Sequence, residues 1–233
     1  MDEFWQRLTN TAPPLDRVLV VLLAVLALGL IAWQPSWRVL RQVVTIAHEG
    51  AHALVAVLCG RRLTGIRLHS DTSGVTVSRG LARGPGMVVT LAVGYVGPAL
   101  LALFGAGLIH QDRPVLFLWL LLLVLALMLV QIRNWFGVVA VLASAAVLVA
   151  VTRYLPVEGQ TMIAYLLVWF LLLAAPRAVG DLHTAHRRGR GWDSDAGQLS
   201  RLTPLPATAW IAIFFLSTLG SLALGAWLLL GSL

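Results

Sequence analysis

The stretch Thr45-Ile46-Ala47-His48-Glu49-Gly50-Ala51-His52-Ala53-Leu54 lies within an apolar run, residues 38–59, of the length a helix needs to cross a membrane. On an α-helix, residues four apart share a face. His48 and His52 can therefore reach one cation while Glu49 projects alongside, toward the water such a cation binds. Imidazole suits Zn2+, and a catalytic zinc site uses three protein ligands with a fourth position open to water whose pKa falls to about 7. The same five-residue pattern arises by chance in soluble helices, where the histidines cap or face water. Inside an apolar span that explanation weakens. Each ionisable group there costs about 2.5–3.5 kcal/mol on insertion scales, so three together demand a compensating partner, and a metal is preferred to a structural polar cluster. Counting back from Gly60 at ~1.5 Å per residue puts His52 about 12 Å and His48 about 18 Å below the surface. Water must reach that depth through a cavity formed by other helices or polar backbone.

Composition points the same way. Of 233 residues 59% are hydrophobic and 12% charged, with a mean hydropathy of +0.86, against roughly 45–50% apolar and about 25% charged in soluble domains. The expected fold is an all-α polytopic membrane protein, a single transmembrane domain over 1–233. Apolar runs between Gly, Pro and Arg punctuation give seven spans, at 16–33, 38–59, 86–108, 114–132, 135–152, 160–176 and 207–231. The pair around Arg133 and Asn134 reads either as a tight hairpin or as one long broken helix. The net charge is +7, and all 17 basic residues are Arg, placed in the short stretches between apolar runs. That distribution marks membrane orientation and argues against nucleic acid as a partner. Cys59 is the only cysteine, which excludes an intramolecular disulfide and a Cys-based metal cage. The segment 1–17 contains Asp2, Glu3 and Asp16 and lacks the basic start of a secretory signal, so the first apolar run is expected to be retained.

With seven spans, thirteen Arg residues fall on the side of the amino terminus and the 60–85 and 177–206 loops, and four (Arg38, Arg41, Arg113 and Arg153) on the other. The thirteen-Arg side, with the N-terminus, is expected to be cytoplasmic. In the 60–85 loop, Ile66-Arg67-Leu68-His69 and Val75-Thr76-Val77-Ser78 flank the turn Asp71-Thr72-Ser73-Gly74, which predicts a β-hairpin. The 177–206 loop is basic, and its His183, His186, Arg187, Arg188 and Arg190 read as a solvated face meeting anionic lipid heads. Trp33, Trp37, Trp119, Trp169 and Trp192 fall near predicted interfaces, as belt anchors do.

The His48-Glu49-x-x-His52 pattern on an early span, followed by Gly60, the hairpin-like loop and Gly94-Tyr95-Val96-Gly97-Pro98, resembles the site-2 protease family of intramembrane zinc metallopeptidases. The likeness covers roughly residues 38–140 and is greatest to compact bacterial members without a PDZ domain. It implies a multi-pass protein of the bacterial cell membrane that uses Zn2+ to cleave membrane protein substrates in or beside their transmembrane segments, the hairpin helping to present them. One departure stands out. The family's third ligand is an Asp in an Asn-Pro-x-Asp-Gly-like segment, whereas the comparable region here reads Arg133-Asn134-Trp135-Phe136-Gly137. The third ligand must come from elsewhere, and Asp181, His183, His186, Asp193, Asp195 and His69 are the candidates.

Asp195 is favoured and Asp193 is the alternative. The segment Ser194-Asp195-Ala196-Gly197-Gln198-Leu199-Ser200-Arg201-Leu202-Thr203 looks like an ending found before the final span in a subgroup of the family, and its apolar Leu199 and Leu202 suit a short helix that dips toward the site. Helix capping by Ser194, Asp193 or Asp195 is the competing explanation. Asn134 suits a substrate backbone contact, an interaction with Glu49 or an interhelical hydrogen bond. Gly94, Gly97 and Pro98 suit a broken helix beside the site or close helix packing. The expected function is intramembrane zinc proteolysis with Glu49 as general base. Its rivals are a catalytically inactive metal- or substrate-binding membrane protein that regulates partners, and, lowest, a small transporter. The sequence leaves the oligomeric state open.

Overall fold

Helices begin at the Asp and Pro punctuation. In the computed structural model, which describes residues 11–231, α1 (Arg17–Ala32) is capped by Asp16, whose carboxylate accepts from the Val18 N–H at 2.8 Å. After the single residue Trp33 comes α2 (Gln34–Leu58), with a proline in its first turn. A hairpin follows, β1 (Arg62–Leu68) antiparallel to β2 (Gly74–Arg79). Then come α3 (Pro85–His110) and α4 (Pro114–Gln131), both opened by proline. The remaining helices are α5 (Trp135–Tyr154), α6 (Val157–Arg187), the short α7 (Asp195–Leu202) and α8 (Ala207–Gly231).

Five helices, α3, α4, α5, α6 and α8, are each long and apolar enough to cross a membrane, and α1 with α2 passes the same test only as a pair bent by 103°, the geometry of a broken span or a re-entrant loop. The chain is a multi-pass membrane protein. Its outer faces carry exposed Leu22, Val25, Leu127, Val130, Leu142 and Val149, the side chains a lipid-facing surface tolerates. The seven spans expected from sequence therefore become five, or six where the bent α1–α2 pair counts as one span, among the described residues. With 16 residues α1 is only about 24 Å long, short of roughly 30 Å of hydrocarbon. The neighbouring α2 carries Arg38, Arg41, His48, Glu49 and His52.

The elbow is held from α6. The Arg177 guanidinium donates to the Ile31 carbonyl and, at 2.8 Å, to Gln34 Oε1, and lies over the Trp37 ring at 4.6 Å. The Trp37 indole N–H donates to Asp181 Oδ2 at 3.2 Å. Trp37 and Trp169 are thus no belt anchors: both are buried, while Trp33 and Trp192 are exposed. At the far end of α1, the Ala12 N–H donates to the Asp112 carbonyl at 2.9 Å in the α3–α4 turn. Residue 12 accordingly sits at the end of the bundle opposite the hairpin, not beside it as the seven-span count implied. The Arg bias survives this change. Because α3 to α6 make an even number of crossings, Arg61, Arg62, Arg67, Arg79, Arg83, Arg133, Arg187, Arg188, Arg190 and Arg201 still share the hairpin end.

The hairpin forms where it was expected. In its turn the Ser73 hydroxyl and N–H donate to Asp71 Oδ1 at 2.6 and 2.9 Å, holding that carboxyl below the usual carboxylate range, and Thr72 takes a left-handed φ of 65°. The α4–α5 break is a tight hairpin that covers the outer edge of β1. Ile132 bridges Ile66 in parallel, and the Arg133 N–H donates to the Ile66 carbonyl at 2.9 Å. The Asn134 amide completes the pairing, donating to the Leu68 carbonyl at 2.6 Å and accepting from the Leu68 N–H at 3.1 Å.

Candidate active site

Helical spacing on α2 stacks His48 and His52 with their Nε2 atoms 3.0 Å apart. Asp195 opens α7, whose first turn is capped by Ser194 through a hydrogen bond from the Gly197 N–H at 3.2 Å. Leu199, fully buried on the same helix, anchors it against α3 and α8. This seating brings Asp195 Oδ2 to 3.2 Å from His48 Nε2 and 3.3 Å from His52 Nε2. The other candidates lie elsewhere. Asp193 is exposed, with its backbone carbonyl accepting from Gln198, and Asp181 meets Trp37. His69 pairs with Ser73 at the hairpin tip, and His183 is exposed on α6.

The three atoms fit a divalent cation. Ligands about 2.0–2.1 Å from a tetrahedral zinc are about 3.3 Å from one another, close to the 3.0, 3.2 and 3.3 Å found here. His52 Nδ1 lies 2.6 Å from the Thr90 carbonyl, so it carries the proton and leaves Nε2 with a lone pair. Asp195 Oδ2 is buried and makes no hydrogen bond among the described residues. Three lone-pair atoms at these separations repel unless a cation is shared among them. Together they form a group able to hold a metal ion.

Glu49 points to the hairpin side of α2 and is buried, only 3% exposed. The Thr76 hydroxyl donates to its Oε2 at 2.6 Å. A Cβ at Gly74 would stand 2.6 Å from Oε1, so glycine there leaves that oxygen clear. The Thr45 hydroxyl donates to the Thr72 carbonyl at 2.7 Å, seating the hairpin tip on the same helix.

Of the α3 residues singled out in the sequence, Gly94 borders the cluster. A Cβ there would lie 2.5 Å from His52 Nε2 and 2.6 Å from Asp195 Oδ2. Gly97 serves close packing, since its Cβ would be 2.3 Å from that of Ala51. Pro98 lies inside a continuous helix, so α3 is not broken there. Asn134 neither reaches Glu49 nor bonds another helix; its amide is spent on Leu68 of β1. Thr76, the Thr90 carbonyl and Tyr95, whose ring meets His48, were not read from the sequence as site groups. Thr76 lay within the quoted hairpin stretch, and Tyr95 beside the glycines already named. The Thr90 contact uses backbone and leaves no sequence signal.

Comparison with curated proteins and with solved structures gives no match. A family model described as Peptidase M50B-like matches residues 21–225. With the match covering most of the chain and its His48–His52–Asp195 cluster, the chain belongs to the Peptidase M50B-like family, the site-2 protease family of intramembrane proteases.

Proposed function

We propose that this protein is a zinc-dependent endopeptidase, a single transmembrane unit that hydrolyses peptide bonds in or near the transmembrane segments of membrane protein substrates. The observation that carries the reading is the convergence of His48 Nε2, His52 Nε2 and Asp195 Oδ2 within 3.3 Å of one another, one residue along α2 from the buried Glu49. These three side chains would hold the metal. Bound by them, zinc would supply Lewis acidity for a peptide carbonyl and for the attacking water.

Glu49 is the general base. Thr76 occupies its Oε2, leaving Oε1 to take the proton of the attacking water and pass it to the departing amine, with no covalent intermediate. Gly94 keeps space open at the cluster, Gly97 and Pro98 shape the helix face behind it, and Asn134 supports the hairpin. The substrate adds as an unwound strand. Residues 132–134 already cover β1, whereas β2 has no second backbone partner among the described residues. The strand therefore adds to β2, the strand that touches Glu49.

The Arg-rich hairpin end faces the cytoplasm of a bacterial cell, and residue 12, beside Asp112, faces the opposite side. The test is cleavage of a membrane substrate by the purified full chain, together with its zinc content. Glu49→Gln should keep stoichiometric zinc and lose cleavage. A Glu49→Gln protein that still cuts removes Glu49 from the chemistry, and a wild-type chain without zinc removes the metal.

A further inference from the structure

The two histidines are held by different means. His52 is fixed at its far nitrogen by the Thr90 carbonyl. His48 has no such anchor: among the described residues its partners at hydrogen-bonding distance are the His52 and Asp195 atoms of the cluster itself. Ring orientation in metal sites is normally set by an outer contact to each ligand, and the contact His48 does have is aromatic. The Tyr95 ring meets it edge to face, centroids 4.8 Å apart and planes at 88°.

Tyr95 does not stand alone. It stacks on the fully buried Phe214 of α8, at 5.4 Å and 22°. Trp210 lies 6.2 Å beyond Phe214, and its indole N–H donates at 3.0 Å to Thr203 Oγ1, the residue that ends α7. An aromatic column thus runs from a histidine on α2, through α3 and α8, to the helix that carries Asp195. Tyr95 reaches this place because its flanks are bare. A Cβ at Gly94 or Gly97 would collide with His52 or Ala51 and push α3 away.

We infer that Tyr95 is the positioning residue for His48. Its ring, not its hydroxyl, sets the imidazole plane so that Nε2 faces His52 and Asp195, and its stack on Phe214 ties that orientation to the α7–α8 unit. This rests on the zinc reading above.

The test titrates the full chain in detergent with zinc against a competing chelator, and with cobalt(II) followed by its visible absorption. Tyr95→Phe should match wild type in zinc affinity and in cobalt spectrum. Tyr95→Ala should weaken zinc about 10–100-fold and reduce the cobalt bands of a tetrahedral site. Phe214→Leu, which keeps Tyr95 but removes its support, should fall between. Tyr95→Ala with wild-type affinity overturns the inference, as does Tyr95→Phe failing as badly as Tyr95→Ala. If Tyr95→Ala does not fold, Phe214→Leu with unchanged affinity and spectrum overturns it instead. A wild-type chain that binds neither metal removes the zinc reading and this inference with it, whereas equal binding by wild type and Tyr95→Ala removes the inference alone.

Discussion

Thr76 Oγ1 lies 2.6 Å from Glu49 Oε2 and 3.1 Å from the Glu49 carbonyl, so one hydroxyl of the hairpin aims the side chain proposed as the base. A hydrogen bond to a charged group contributes about 1.5–3 kcal/mol, equivalent to roughly 10–100-fold in rate if the contact is needed in the transition state. Thr76→Val is expected to lower kcat by about that factor while zinc content stays at the wild-type level. Thr76→Ser should recover most of the loss. Steady-state kinetics beside metal analysis separates this outcome from general misfolding.

Asp195 and Asp193 are two residues apart in sequence, yet only Asp195 meets the histidines. Asp195→Asn is expected to weaken zinc by more than the roughly 10–100-fold typical of an outer-sphere partner, and Asp193→Asn to leave it unchanged. Competition with a chelator measures both. Equal losses would mean that the carboxylates act through local charge and not as a ligand and a bystander.

The space at Gly94 is as specific as the ligands. Gly94→Ala places a methyl 2.5 Å from His52 Nε2, where the imidazole or α3 must move. Zinc affinity should fall at least about 10-fold, the low end of losses seen when a ligand's surroundings are disturbed. Alanine is otherwise a better helix former than glycine. Overpacking of about 1–3 kcal/mol should nonetheless lower the melting temperature of the metal-free chain, and a wild-type zinc affinity would leave Gly94 a packing role alone.

Orientation can be read with thiol reagents. Cys59, exposed at the hairpin end, should label from the cytoplasmic side in whole-cell and inverted-vesicle experiments. In a Cys59→Ser background, Thr11→Cys, at an exposed position next to the Ala12–Asp112 contact, should label from the opposite side. Labelling of both positions from one side would restore two full spans to the first sixty residues.

What the sequence revealed and what it hid divide by range. The His48–His52 pairing is local, fixed by one helical turn, and the hairpin is encoded in the Asp71-Thr72-Ser73-Gly74 turn with its flanking β-branched residues. Asp195 could be favoured only through a resemblance and the spacing of Leu199 and Leu202, because seating α7 against α3 is a tertiary event. The elbow was invisible for the same reason. Trp33-Gln34-Pro35 reads as a loop between two spans, and the residue that clamps the bend, Arg177, lies more than 140 positions away. Trp37 reads from its position as an interfacial anchor, and its burial in the hydrophobic core, with its Asp181 and Arg177 contacts, is a tertiary fact. Asn134 was noticed as polar in an apolar setting, but its use as a strand mimic on Leu68 depends on a hairpin folded from residues far upstream.

The broken first span bears on how the protein is made. A 25-residue helix with two arginines, two histidines and a glutamate cannot partition into lipid on its own merit. During biogenesis, α2 must wait for α3 and α6 to offer it a polar berth. Assembly of the later helices then precedes completion of the cluster, because a nascent chain released before α7 lacks Asp195, the group that meets both histidines.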